Sequence, residues 1–140
     1  MLLLGLSGYT NRMKLFLLLS TFALAFTFAQ PASGPKKLTP EELKQMIESK
    51  QKFFFLDVRE PNELEERGTI KGYVNIPLSQ LESRASEIPR DVAIVSACAR
   101  GVRAGKAAAI LEKLGYTQIS LCAMEEYKAK GYDLIYPKAK

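Results

Sequence analysis

A chain of 140 residues has room for one domain, and its apolar share of 47% is that of a globular protein rather than a disordered one. The formal net charge is +5, histidine is absent and there are two cysteines, which excludes histidine-ligated metal, a Cys–His nucleophile pair and a structural zinc site. No basic block is interleaved with aromatic residues, so nucleic acid is a poor partner for it.

The first stretch reads as a targeting segment. Arg12 and Lys14 precede an uncharged run from Leu15 to Phe28, too short to span a bilayer comfortably. Thr27 and Ala29 then give a small-x-small pattern before Gln30 and Pro31. A basic start, an apolar middle and a small-residue cleavage pattern are the parts of a secretory signal peptide. The plain alternatives are a short membrane anchor or a buried helix, against which the flanking basic residues and the cleavage pattern weigh. Residues 1–29 are therefore expected to be an N-terminal extension plus signal peptide, with the true start at Met13 and cleavage after Ala29. The mature chain is expected in the periplasm or outside the cell, with no stable membrane insertion; no cysteine follows the apolar run, which argues against a lipid-modified cysteine anchor. Loss of Arg12 and Lys14 lowers the basic count from 20 to 18 against 15 acidic residues, so the mature chain is only slightly basic.

Residues 30–37, with Pro31, Ser33, Gly34 and Pro35, read as a flexible leader. The domain is expected over 38–132, with a loose polar tail at 133–140. Thr39-Pro40-Glu41-Glu42 is a helix start: Thr39 caps, Pro40 takes the first helical position and Glu42 closes a capping box. Leu38 and Leu43 fall at staple positions, and Leu43, Met46 and Ile47 form the apolar stripe. Phe53 to Val58 reads as a buried strand, with Asp57 and Arg59 emerging at its carboxyl end as an ion pair. Pro61 to Glu66 fits a short acidic helix ended by Gly68. Ile70 to Ile76 is extended, with Gly72 for a turn. Ser79 to Ser86 fits another helix before Pro89.

Val92 to Ala97 reads as a second buried strand, and Ala104 to Leu114 as a helix whose Ala104, Ala107, Ala108, Leu111 and Leu114 recur at helical spacing. Gly115 caps it. Gln118 to Leu121 is a short strand, and Met124 to Lys130 a final helix ending at Gly131. Helices alternating with short apolar strands predict an α/β fold, with a parallel sheet covered on both faces.

Between strand and helix lies Cys98-Ala99-Arg100-Gly101-Val102-Arg103. In such a sheet, chemistry sits where a strand's carboxyl end hands over to a helix. Backbone N–H groups and the positive helix end favour an anion there, and a thiolate is such an anion. Arg100 and Arg103 supply cations, and Gly101 allows the curvature of a cradle. The plain alternative is a small buried cysteine at a strand end; two arginines within five residues argue against it.

At these residues the chain resembles the rhodaneses, single-domain sulfurtransferases. Cys98-Ala-Arg-Gly101-Val-Arg103 fits the family's C-x-x-G-x-R loop. Phe55-Leu-Asp57-Val-Arg59-Glu-Pro and Gly68-Thr-Ile-Lys-Gly72-Tyr-Val-Asn75-Ile-Pro77 follow its upstream blocks, so the resemblance covers Lys37 to Tyr132. It implies a rhodanese-like α/β fold, a central parallel sheet of about five short strands with helices on both faces, and thiosulfate sulfurtransferase activity. On that resemblance Cys98 would carry sulfur as a persulfide and residues Ala99 to Arg103 would cradle it; Arg100 would bind the donor, Arg103 would mainly hold the loop's shape with donor binding as its second role, and Asp57 would support the sheet end. The partners implied are a small anionic sulfur donor and a thiol or cyanide acceptor, with no cofactor; no signal sets an oligomeric state. Related dual-specificity phosphatases and arsenate reductases have one more loop residue, which disfavours phosphatase chemistry here. Thr69 and Tyr73 depart from the usual His and Ala without touching the sulfur chemistry.

The clearest departure is Cys122-Ala123-Met124-Glu-Glu-Tyr127, where rhodaneses usually have Gly-Gly, an apolar residue and then Trp. It places a second thiol at a strand end, expected on the same face as Cys98. Cys122 reads either as a packed small residue or, in an oxidising compartment, as a resolving thiol for Cys98. Two other functions therefore stay open: a non-catalytic anion- or polysulfide-binding module, and a thiol–disulfide redox protein using Cys98 and Cys122.

Overall fold

The computed structural model of the chain describes residues 34–138. The signal peptide, its start and cleavage point, the first half of the leader and the last two tail residues lie outside them. Five strands form one parallel sheet: β1 (Lys36–Lys37), β2 (Phe53–Asp57), β3 (Val74–Asn75), β4 (Ala93–Cys98) and β5 (Ile119–Ala123), in the order β1-β5-β4-β2-β3. The helices are α1 (Pro40–Glu48), α2 (Pro61–Arg67), α3 (Leu81–Arg84), α4 (Val102–Lys113) and α5 (Met124–Ala129). The expected parallel α/β sheet is the one observed. None of these helices is long and apolar enough to cross a membrane.

Both faces of the sheet are covered. On one, Leu81 of α3 and Ala104, Ala107, Ala108 and Leu111 of α4 pack against Leu56 and Ile94. The three alanines are fully buried, and their small side chains let the α4 backbone lie close to the strands. On the other, Leu43 of α1 and Met124 and Tyr127 of α5 pack against Phe55, Val95 and Ala97. Alternate residues of β2 and β4 thus serve opposite cores, as the two-residue period of a strand requires. The α1 cap is as expected: Thr39 Oγ1 accepts the Glu42 N–H at 3.2 Å and Glu42 accepts the Thr39 N–H at 2.8 Å.

Several boundaries move, each for a tertiary reason. Lys36 and Lys37, placed in the leader by sequence, pair with Ser120 and Leu121 and give β5 a neighbour. Their ammonium groups bond Glu42 and Glu126, so the sheet edge is charged and uninviting to another strand. The strand expected over Ile70 to Ile76 pairs only at Val74–Asn75, because Lys71 and Gly72 turn the chain, with Gly72 at φ +85°.

The start of the tail is not loose, as far as Ile135. Ile135 and Thr69 exchange backbone hydrogen bonds of 2.8 and 2.9 Å, and Tyr132 and Leu134 pack on the α1/α5 core. The ordered unit therefore exceeds 38–132 at both ends. The helix expected over Ser79 to Ser86 is instead a short α3 flanked by 3-10 turns at Leu78–Gln80 and Ala85–Glu87. Ser83 Oγ donates to the Gln80 carbonyl at 2.9 Å, a local bond that competes with regular helix in so short a segment.

Candidate active site

Strand β4 is the middle strand, and Cys98 is its last residue. The sheet's direction of growth reverses between β2 and β4, since β3 lies outside β2 and β5 outside β4. Ligands of open α/β sheets gather beyond the carboxyl ends of strands at such a reversal. Helix α4 begins four residues after Cys98, with Gly101 as its N-cap at φ +94°. That left-handed backbone is open to glycine without strain and costs other residues about 1–2 kcal/mol. It lets the chain double back over the sulfur. Cys98 Sγ accepts the Gly101 N–H at 3.0 Å and the Ala104 N–H at 3.3 Å. Two amide donors at the head of a 12-residue helix suit a sulfur anion.

Cys98 is 2% exposed, yet with Ala99, Arg100, Val102 and Arg103 it lines an open depression of about 430 Å³. Arg100 is exposed at the rim and makes none of the ion pairs among the described residues. Helix α5 braces the loop from behind, where the Glu125 N–H donates to the Ala99 carbonyl at 3.0 Å. The departing segment Cys122-Ala123-Met124 is buried beneath that contact.

Arg103 takes the loop-holding role of the sequence reading, not the donor-binding one. Its two terminal nitrogens bond both carboxylate oxygens of Glu63 at 2.6 and 2.7 Å, so its side chain is committed to a bidentate pair rather than free for a donor. Sequence reasoning missed Glu63. The only signal was its place in a second capping box with Glu60, whose N–H it accepts at 3.0 Å. The Arg103 guanidinium holds the Glu63 carboxyl down at about 2, and Glu63 in turn raises Arg103. A carboxyl lowered by folding stabilises the fold above its ordinary value and loses that contribution as pH falls through its folded value. The melting-temperature gap between the native chain and Glu63→Gln is therefore expected in full above about pH 5 and to close from 4.5 toward about 2. Thermal melts across that range check it.

Beside the loop, Asp57 and Arg59 form the expected ion pair, 0% and 1% exposed in their side chains. Arg59 Nε and an Nη donate to the two Asp57 oxygens at 2.9 and 2.6 Å, and the Thr69 hydroxyl donates to Asp57 at 2.9 Å. Arg59 also reaches the Gly68 carbonyl, while the Asn75 amide donates to the carbonyls of Asp57 and Arg59. This network fixes the carboxyl end of β2 alongside Cys98.

Cys122 is not on the face of Cys98. The register sets Cys122 beside Ala97 and Cys98 beside Ala123, so the two thiols leave opposite faces of the sheet, each in its own core. Sequence placed Cys122 beyond the end of a strand at Leu121, but pairing with β4 extends β5 to Ala123. Both cysteines are free, and Cys122 lies 3.8 Å from the Met124 sulfur. Burial pushes the Cys122 thiol up to about 12. In the folded protein at pH 8, iodoacetamide is expected to label Cys98 alone, with Cys122 labelled only after denaturation, as peptide mapping reads directly.

A cysteine sulfur held by two amides at the end of the middle strand defines an α/β domain with a thiol loop at the head of a helix. The chain belongs to the rhodanese-like domain family, which matches residues 39–129. It is 46% identical over 84 residues to the Bacillus subtilis uncharacterized protein YqhL, covering 60% of this chain and 64% of that one, so it spans just under two thirds of that relative. It is 30% identical over 83 residues to a protein named sulfurtransferase from Allochromatium vinosum, covering 59% and 77%. The crystal structure of a rhodanese-related protein from Thermoplasma volcanium superposes with a TM-score of 0.65 at 29% identity, covering 73% of this chain and 99% of that one.

Proposed function

We propose that this protein is a sulfurtransferase in which Cys98 carries sulfane sulfur from a small anionic donor, of which thiosulfate is the type, to a thiol or cyanide acceptor. The observation that carries the reading is the Cys98 sulfur, held by the Gly101 and Ala104 amides at the floor of an open depression. Relatives named for sulfur transfer lend it support.

The Cys98 thiolate attacks the outer sulfur of thiosulfate. A new S–S bond forms, the old one breaks, and sulfite leaves with the electron pair. The persulfide's terminal sulfur remains anionic, and the amides of the Cys98 loop are the donors to hold it. An acceptor thiolate then attacks that sulfur, taking it as a new persulfide and returning the Cys98 thiolate; cyanide takes it as thiocyanate. Every step is a displacement at sulfur, so the scheme uses no cofactor. Arg100 meets the donor's anionic end.

The test is steady-state transfer from thiosulfate to cyanide and to a dithiol. Turnover is expected, and Arg100→Gln should raise the KM for thiosulfate about fivefold while changing kcat less. Saturable binding of thiosulfate with no turnover would instead make the site a binding module. The proposal includes export of the mature chain, on the sequence of residues 13–29 alone; N-terminal sequencing of the protein recovered from fractionated cells tests it.

A further inference from the structure

Two guanidinium groups line the Cys98 depression, but they are not equivalent. Arg100 is unpaired among the described ion pairs, whereas both Nη atoms of Arg103 are held by Glu63. Glu63 is itself fixed: it sits in the first turn of α2, where it accepts the Glu60 N–H. The pair is shielded, with side chains 34% and 22% exposed, so solvent does not simply screen it away as it would the half-exposed Arg67–Glu125 pair nearby. The carboxylate thus stands beside the thiol loop, bonded at once to the Glu60 N–H and to Arg103.

We infer that Glu63 is a positioning residue that sets the charge selectivity of the site: by neutralising Arg103 it leaves Arg100 as the one uncompensated cation among the residues lining the Cys98 depression. This rests on the reading of Cys98 as the reactive thiol. Its consequence concerns the donor. A site with one net positive group suits a monoanion, such as an organic persulfide or an alkyl thiosulfonate, better than a site with two, which would favour dianionic thiosulfate. The selectivity is a property of the loop's surroundings and was invisible in the six-residue motif, where the two arginines look alike.

The alternative role for Glu63 is mechanical, as a tie between α2 and the loop. Charge and mechanics separate by sign. The rate of Cys98 alkylation by anionic iodoacetate, divided by that for neutral iodoacetamide, reads the charge at the sulfur. Loop damage affects two reagents of similar size alike and cancels in the ratio. The measurement needs no sulfur transfer, so it stands even where the transferase reading fails, and failure of transfer is seen separately in the turnover assay.

Glu63→Gln bares the Arg103 charge and should raise the ratio about fivefold, the effect of a unit charge several ångströms away in a half-wet site. Arg103→Gln bares the Glu63 carboxylate instead and should lower it by a similar factor. The double variant should return to the native ratio. Should Glu63→Gln not fold, the fall in Arg103→Gln alone still tests the inference. Single variants that shift the ratio in the same direction, or leave it unchanged, overturn it. Among donors, Glu63→Gln should likewise raise kcat/KM for thiosulfate relative to methanethiosulfonate.

Discussion

Replacing Cys98 by alanine is expected to abolish sulfur transfer, by at least about a thousandfold, while leaving the fold intact. The loss is large because nothing nearby can substitute. Cys122 faces the other core, its thiol is raised to about 12 by burial, and the chain has no histidine to activate another nucleophile. The fold should survive because alanine removes one buried sulfur beside Ala104 and leaves the loop's own backbone bonds, such as the Gly105 N–H to the Gly101 carbonyl at 2.9 Å. Turnover assays with circular dichroism check both halves. Residual transfer within tenfold of the native chain would mean that Cys98 is not the carrier.

The largest loss of stability is expected from Asp57→Ala. It leaves the Arg59 guanidinium, 1% exposed, without its carboxylate, and strands the Thr69 hydroxyl. Removing one partner of a buried ion pair costs about 3–5 kcal/mol, a large share of the stability of a domain this size. Replacing both residues together, as Asp57→Leu with Arg59→Met, should cost less than Asp57→Ala alone, since no bare charge is then buried. Denaturant melts of the three proteins rank them.

Local sequence carried much of this. The Thr39 capping box, the apolar runs of β2 and β4, the alanine face of α4 and the glycine that starts it all follow from spacing and propensity over a few residues. What sequence could not supply was set by neighbours distant in the chain. The strand at Lys36–Lys37 exists because β5 offers it an edge, and the end of β5 is fixed by its register with Cys98. That register puts Cys122 on the far face, a two-residue matter of alternation that no spacing between position 98 and position 122 could reveal. Glu63 and Arg103 are 40 residues apart and meet only once α2 folds against the thiol loop. The loop's chemistry was thus legible as a motif, and its charge balance was not.

The most direct test is the intact mass of the reduced protein after one exposure to thiosulfate, followed by peptide mapping and then by added cyanide or thiol. The account predicts a gain of one sulfur atom on the peptide containing Cys98, absent in Cys98→Ala, and its complete removal by the acceptor. A protein that gains no sulfur, or gains it at Cys122, would contradict it.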